Sequence, residues 1–313
     1  MDDGCPRSVL GPDGRDWEQV LAEGGWKVKS GRLARRVLLW MVAGLLAAAG
    51  QARAESEPVH VLPKEGCGEL RFQDADFIVC RVDLRKHRLR LWLTDEKGEP
   101  FGYLWRLREW LRQRGQRLRF AMNAGMYDEK GFPVGLYVEE GRERKAINLK
   151  RGYGNFHLMP NGVFWVRGQR AGVMESKRFA RLYKRGRLKP DFATQSGPML
   201  VINGRLHPRF RAASDSRKIR NGVGVRRARG GIGGHEVFFA ISRDLVNFHT
   251  FARLFRDVLK TPDALFLDGT VSRLWTPRHH LRGLFGRAIG PIVGVSEKME
   301  ERGGRRQVKN LKK

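Results

Sequence analysis

The chain is poor in cysteine and in acid. It has three cysteines in 313 residues, and no histidine stands close to any of them. Zinc modules need thiolates and imidazoles at short, fixed spacings, so a zinc fold is excluded. Acidic residues number 33 against 61 Lys and Arg, a formal net charge of +28. Such an excess attracts polyanions, whether nucleic acid, anionic lipid headgroups or a phosphate-bearing envelope polymer. No G-X-Y period runs through the 38 glycines, which rules out collagen. They make up roughly 12% of the chain, against about 7% in average proteins. Scattered singly or in pairs, they suit a turn-rich protein of many short strands. Apolar residues reach 41%, enough in a chain of this length to bury a real core and exclude wholesale disorder.

An apolar segment long enough to span a bilayer is also missing from the N-terminal region. Val37 to Gly50 (VLLWMVAGLLAAAG) is fourteen residues without charge, short of the roughly 20 that a spanning helix needs. Lys27, Lys29, Arg32, Arg35 and Arg36 precede it, and Ala52 and Ala54 follow in an A-x-A pattern. Basic region, short apolar run and small-residue site make up a secretory signal over residues 31–54. The alternatives are an uncleaved anchor or a buried core helix. Residues 1–30 are either an extended basic region or the result of a start placed too early. Cleavage after Ala54 leaves 53 basic and 27 acidic residues, so +26 belongs to the exported chain. In that setting Cys67 and Cys80 read as one disulfide, with two free buried thiols as the alternative. The predicted location is the periplasm or the medium.

Beyond the leader the pattern is α+β, one mixed domain over 55–296 with strands outnumbering helices, followed by a basic tail over 297–313. Leu89 to Leu93 alternates as a half-buried strand. Leu104, Leu107 and Leu111 have helical spacing, and Gly115 stops that helix. Strands are expected at Leu118–Met122, Val237–Ser242 and Ala264–Leu267. Hairpins are expected at Val134–Ile147 and Val163–Met174. Asn-Gly dipeptides at 161, 203 and 221 supply tight-turn geometry, and the one at Asn203 predicts a hairpin. A helix over Asn247–Lys260 puts Phe248, Phe251, Phe255, Val258 and Leu259 on one face.

Four stretches set polar residues and glycines against strand-like runs. They are Asn123-Ala124-Gly125, Asn155-Phe156-His157, Gln195-Ser196-Gly197 with Arg220-Asn221-Gly222, and Asp268-Gly269-Thr270 with Ser272. A strand fixes a carboxylate at its end, and a following glycine lets a ligand approach the backbone, so Asp268 is the first candidate for chemistry. The bland reading of Asp268 is an Asx-turn. Arg220 is one of many arginines, most of which are merely solvated. His157 serves either as an acid/base or as a core histidine bonded to backbone. Asp268 with Asn123 offers too few oxygens to claim a divalent cation, so no metal is assigned, and the cofactor stays unknown.

The segments NAGMYDEKGFPVGLYVEEG, NFHLMPNGVFWV, QSGPMLVINGRLHPRF, RNGVGV and ALFLDGTVSRLW, in that order, resemble the phosphodiester glycosidase family, in particular its secreted bacterial branch. The resemblance covers about residues 67–296. It implies an α+β hydrolase that removes a sugar held through a phosphodiester, here from an envelope or extracellular glycan. It carries site positions to Asn123, Gly125, Arg220, Asp268, Gly269 and Ser272. The family often has two or three glycines after the aspartate, whereas Thr270 and Val271 follow Gly269 here. Ala124 likewise stands where a glycine is frequent. On this reading Asp268 is base or nucleophile, Arg220 clamps phosphate, and Asn123, Gly125, Ser196, Gly269 and Ser272 line the substrate. Because phosphate leaves as a weakly basic anion, a strong general acid is less needed than for ordinary glycosides. A non-catalytic envelope protein that binds anionic polymers is the alternative, and the charge also allows association with a membrane surface. Nucleic acid is not expected as a partner, because the basic residues are dispersed and no recognised motif appears.

Overall fold

Alternating side chains and tight turns generate most of the chain's elements. In the computed structural model the described residues are 62–226, 233–268, 271–281 and 287–299. They fall within one unit, His60–Lys313. The expected signal over 31–54, the extension before it, Gly269 and all but the first residues of the basic tail lie outside the described residues.

The elements run β1 (Gly66–Phe72), β2 (Ala75–Asp83), β3 (Leu89–Trp92), α1 (Leu104–Gln113) and β4 (Gln116–Asn123). Then come β5 (Tyr137–Glu139), β6 (Arg142–Lys145), β7 (Gly162–Arg167), β8 (Arg170–Glu175), α2 (Ser176–Lys184) and β9 (Phe192–Ser196). The last group is β10 (Met199–Ile202), β11 (Arg205–Leu206), β12 (Asn221–Arg226), β13 (Glu236–Ser242), α3 (Phe248–Arg253), β14 (Asp263–Asp268), β15 (Leu274–Trp275), β16 (His280–Leu281) and β17 (Ile292–Lys298). They build an α+β fold of three sheets. The largest has the order β1-β2-β13-β12-β14-β10-β11, and the others are β16-β15-β4-β17-β3 and β6-β5-β9-β7-β8.

Period-two alternation assigns each sheet its faces. In β13, Val237, Phe239 and Ile241 enter one core, and Phe238 and Ala240 enter another. The first core also takes Phe120, Met122 and Val293 from the second sheet and Tyr137, Phe164 and Val166 from the third. One face of the large sheet therefore packs on both smaller sheets. Its other face is covered by α3 and the turn after it, through Phe251, Leu254 and Phe255. Helix α1 covers the second sheet with Leu104, Leu107 and Leu111, each worth about 1.5–3 kcal/mol of burial. Phe179 of α2 packs beneath Val163 and Trp165 of the third sheet.

The hairpins at Glu140-Gly141 and Gly168 stand where turn residues place them, as does the Asn203-Gly204 turn between β10 and β11. Asn203 has φ 48°, which only a short polar side chain adopts readily. By contrast, Asn221-Gly222 lies inside β12 and Asn161-Gly162 leads into β7, so neither is a turn. The helix expected over Asn247–Lys260 is divided. It is α-helical to Arg253, then π-helical over Leu254–Val258, where Leu259 N–H reaches back to the Leu254 carbonyl. Cys67 stands directly opposite Cys80 in the β1–β2 register, and the two form a disulfide.

Candidate functional site

The ends of β4, β12 and β14 meet where the first two sheets adjoin, and polar side chains stitch them together. Asn221 begins β12, and its Nδ2 donates to the Asn123 carbonyl oxygen (3.0 Å) and to Asn123 Oδ1 (2.9 Å). Its own Oδ1 accepts from Asp268 N–H (2.8 Å). Asn123, which ends β4, donates from Nδ2 to Asp268 Oδ2 at 3.4 Å and accepts Arg273 N–H at Oδ1 (2.9 Å). Both asparagines are fully buried, and Asp268 is 8% exposed. The β12–β14 register slips between Asn221 and Gly222. Bulges of this kind re-aim side chains beside functional sites.

Two serines hold the Asp268 strand by its backbone. Ser196 Oγ donates to the Leu267 carbonyl (2.9 Å). Ser272 Oγ donates to the Asp268 carbonyl (2.8 Å), with the Ile219 carbonyl 3.3 Å away. Gly125 has φ +105°, and a Cβ there would lie 2.5 Å from Thr194 Oγ1. That threonine donates to the Ala124 carbonyl (2.9 Å), so the chain leaving β4 is pressed against β9. Gln195 is a strut. Its Oε1 accepts from Leu136 and Asn148 N–H groups, and its Nε2 donates to the Asn148 carbonyl and Ser176 Oγ.

Arg220 lies within the core. Its Nε donates to the Val246 carbonyl and its Nη2 to the Ser216 carbonyl, both at 2.8 Å. The guanidinium stacks 3.7 Å from the Phe248 ring centroid, and Nη1 has no partner. Burial lowers its pKa to about 10, which leaves it cationic at neutral pH. Asn247 caps α3 by accepting Thr250 N–H, which fixes the segment Arg220 leans on.

The site residues expected from the sequence did not include Tyr127, Asn221 or Arg273. Tyr127 donates its hydroxyl to the Ala288 carbonyl (3.0 Å). Burial first, and the charge of Asp268 second, push its pKa up and keep the phenol neutral. Arg273 is 8% exposed; its Nη2 donates to the Arg287 carbonyl, its guanidinium lies over the Tyr103 ring, and its Nε has no partner. Desolvation lowers its pKa, opposed by the neighbouring Tyr127 and Tyr103. The available signal was local. The alternation Asn-Gly-Val-Gly-Val reads as a strand with a polar first residue, and Ser-Arg-Leu-Trp places an arginine between buried neighbours.

His157 lies elsewhere in these contacts. It sits in a one-turn 3-10 helix, with Nδ1 3.0 Å from the Lys150 carbonyl and its ring edge on Phe156. Among the described contacts none joins it to Asp268. Among the described residues, no group of three or more His, Cys, Asp or Glu side chains gathers as metal ligands would. The chemistry on offer is one oriented carboxylate, with two buried guanidiniums in the adjoining segments, each with one buried nitrogen that has no partner, Nη1 of Arg220 and Nε of Arg273.

The sequence profile of the phosphodiester glycosidase family (NAGPA) matches residues 116–295. That span includes Asn123, Arg220, Asp268 and Arg273. The uncharacterized protein YigE of Escherichia coli (strain K12) is 37% identical over 194 residues, which cover 62% of this chain and 72% of that protein. A hypothetical protein from Synechocystis superposes with TM-score 0.47 at 14% identity, over 74% of this chain and 61% of that one. The catalytic domain of zebrafish N-acetylglucosamine-1-phosphodiester alpha-N-acetylglucosaminidase, auto-inhibited by its pro-peptide, gives 0.48 at 13% identity, over 73% of this chain and 81% of its own. The profile match takes in more than half of the chain, and together with the E. coli relative it establishes that the chain belongs to the phosphodiester glycosidase family.

Proposed function

We propose that the chain is an exported hydrolase that cleaves sugar–phosphate phosphodiester linkages in an envelope or extracellular glycan. Asp268 either attacks the sugar carbon as nucleophile or, as base, takes the proton of the water that attacks it, and the phosphate leaves. The observation that carries this reading is the fixation of Asp268. Its N–H is held by Asn221, its carbonyl by Ser272 and its carboxylate by Asn123. A carboxylate constrained at both backbone and side chain meets the positional demand of catalysis. Its leaving group is a phosphate of low basicity, so the reaction does not require His157 as a strong acid. On Arg220, Nε and Nη2 each already donate to a backbone carbonyl, which leaves one nitrogen, Nη1, without a partner for phosphate. The grip through two nitrogens expected of a guanidinium is thereby reduced to one nitrogen. Export agrees with the Cys67–Cys80 bond, since disulfides persist in oxidising compartments.

The test is release of free sugar from a panel of sugar phosphodiesters. Asp268→Asn keeps the shape and loses basicity and nucleophilicity. It should cut turnover by about a hundredfold to ten-thousandfold and leave thermal unfolding nearly unchanged. Full turnover in that variant removes Asp268 from the chemistry. Tight binding of the panel with no turnover in the unaltered protein favours a binding protein that uses its positive charge.

A further inference from the structure

The loop after Asp268 carries an arginine whose position asks for an anion. Val271 anchors that loop in the α1 core beside Leu104 and Leu107. Ser272 ties it to the Asp268 carbonyl, and Asn123 Oδ1 receives the Arg273 N–H. Leu274 then pairs with Met122 of β4. Arg273 is thus fixed within five residues of Asp268 and bound to the same asparagine. Its guanidinium gives one N–H donor to the Arg287 carbonyl and faces the Tyr103 ring. The Nε–H is buried and unpartnered. No carboxylate pairs with Arg273 among the described ion pairs.

A buried N–H of a charged group left unpaired is costly, so it calls for a partner, and a bound ligand is one way to supply it. Phosphate oxygens are the natural acceptors for guanidinium N–H groups. The charges felt at Tyr127 are the Asp268 carboxylate and the guanidiniums of Arg273 and Arg287, so cations outnumber the one carboxylate there, and Tyr127 itself stays neutral. We propose that Arg273 is a substrate-binding residue that holds the phosphate oxygens of the phosphodiester through its Nε–H. The contact supplements the one unpartnered nitrogen left on Arg220. This deepens the hydrolase reading above and rests on it.

The test uses the full exported chain with inorganic phosphate and dimethyl phosphate as probes, titrated calorimetrically at constant ionic strength. Arg273→Gln should weaken binding of both about 10- to 100-fold, the range of a hydrogen bond to a charged group. Arg187→Gln, which removes an exposed cation of the third-sheet region, should leave it unchanged. Equal affinity in Arg273→Gln and the unaltered protein overturns the proposal, as does an unaltered protein that binds neither probe. If Arg273→Gln does not fold, Arg273→Lys decides. It keeps the charge but has no Nε–H in place, so unchanged affinity refutes the contact. Kinetics then separate the two readings. If sugar phosphodiesters are cleaved and Arg273→Gln leaves KM unaltered, the contact fails while the hydrolase reading stands. If nothing is cleaved but phosphate binding still depends on Arg273, the hydrolase reading fails and the anion contact stands.

Discussion

Removing the Asn221 side chain tests whether the junction at Asp268 is built as described. Asn221→Ala deletes three hydrogen bonds at a fully buried position. The Asp268 N–H and the Asn123 carbonyl lose these partners, at about 1–3 kcal/mol for each buried group left unsatisfied. With the void of the lost amide, the expected destabilisation is about 3–5 kcal/mol. In a domain of this size each kcal/mol moves the melting point by about 2–4 °C, so Tm should fall by about 6–20 °C. Differential scanning calorimetry on the oxidised chain measures it directly. Asn123→Ala breaks bonds of the same set, so the double variant should lose less than the two singles combined.

Asn221→Asp sharpens the point. It keeps the acceptor for Asp268 N–H but turns the donor facing Asn123 into an oxygen and buries a charge near Asp268. Burial and like charge both raise the pKa of the new carboxyl above its unfolded value. Unfolded chains lose that proton first as pH rises, so the variant should be least stable at neutral pH and recover toward acid. A drop of less than about 2 °C in Asn221→Ala would refute the network, because two buried orphaned groups cannot be that cheap.

Three further outcomes are expected. Cys67→Ser with Cys80→Ser should cost about 3 kcal/mol by the chain-entropy argument for a loop of 13 residues, read as a lower urea midpoint, and intact mass without reductant should show no alkylated thiols in the unaltered protein. Burial first, and Glu140 with it, lift the Glu139 carboxyl to about 7 against the pull of Arg144, so the stability gained with this group protonated is full below its ordinary value of 4.5 and is lost as pH rises through about 7. Glu139→Gln should therefore gain on the unaltered protein by about 2 kcal/mol between pH 5 and pH 8 in urea titrations, a figure already reduced for solvent screening, and a constant difference would refute the burial argument. The +26 expected for the exported chain should hold it on heparin with retention that falls steeply with salt, since exposed charges are screened beyond about 8 Å at physiological ionic strength; salt-independent retention would require a specific pocket instead.

Much of the fold could be read in the sequence because alternation and turn chemistry are local. Leu89 to Trp92, the Leu104–Leu107–Leu111 helix and the Asn203-Gly204 turn each declare themselves within ten residues. The β1–β2 hairpin was concealed, since Phe77 to Cys80 is buried on both faces and has no alternation to show. Helix α2 was hidden by its charge, having few apolar residues apart from Phe179 and Ala180 to mark a buried face. Asp268 stood out as an acid at the end of an apolar strand. Asn123 and Ser272 were legible only through the family resemblance, and the bonding of Asn123 to Asn221 was not, because the two lie 98 residues apart and meet only where two sheets adjoin. No local pattern distinguishes a buried arginine such as Arg220 or Arg273 from the many exposed ones in a chain holding 61 basic residues.

The departure from a glycine-rich stretch after Asp268 has a structural counterpart. A run of glycines leaves a loop free to move against a ligand, at an entropic cost when it is ordered. Val271 instead inserts into the α1 core with Leu107 and Ile289. Burying that side chain is worth on the order of 1.5 kcal/mol, and it fixes Val271 and the two residues after it before any ligand arrives. Ser272 and Arg273 are then fixed through the Asp268 carbonyl and Asn123. Loss of the anchor should therefore be felt at Asp268 and not only in stability. Val271→Gly should lower turnover as well as Tm. A variant that loses about 1–2 kcal/mol of stability with turnover untouched would show that Asp268 is held from the β14 side alone.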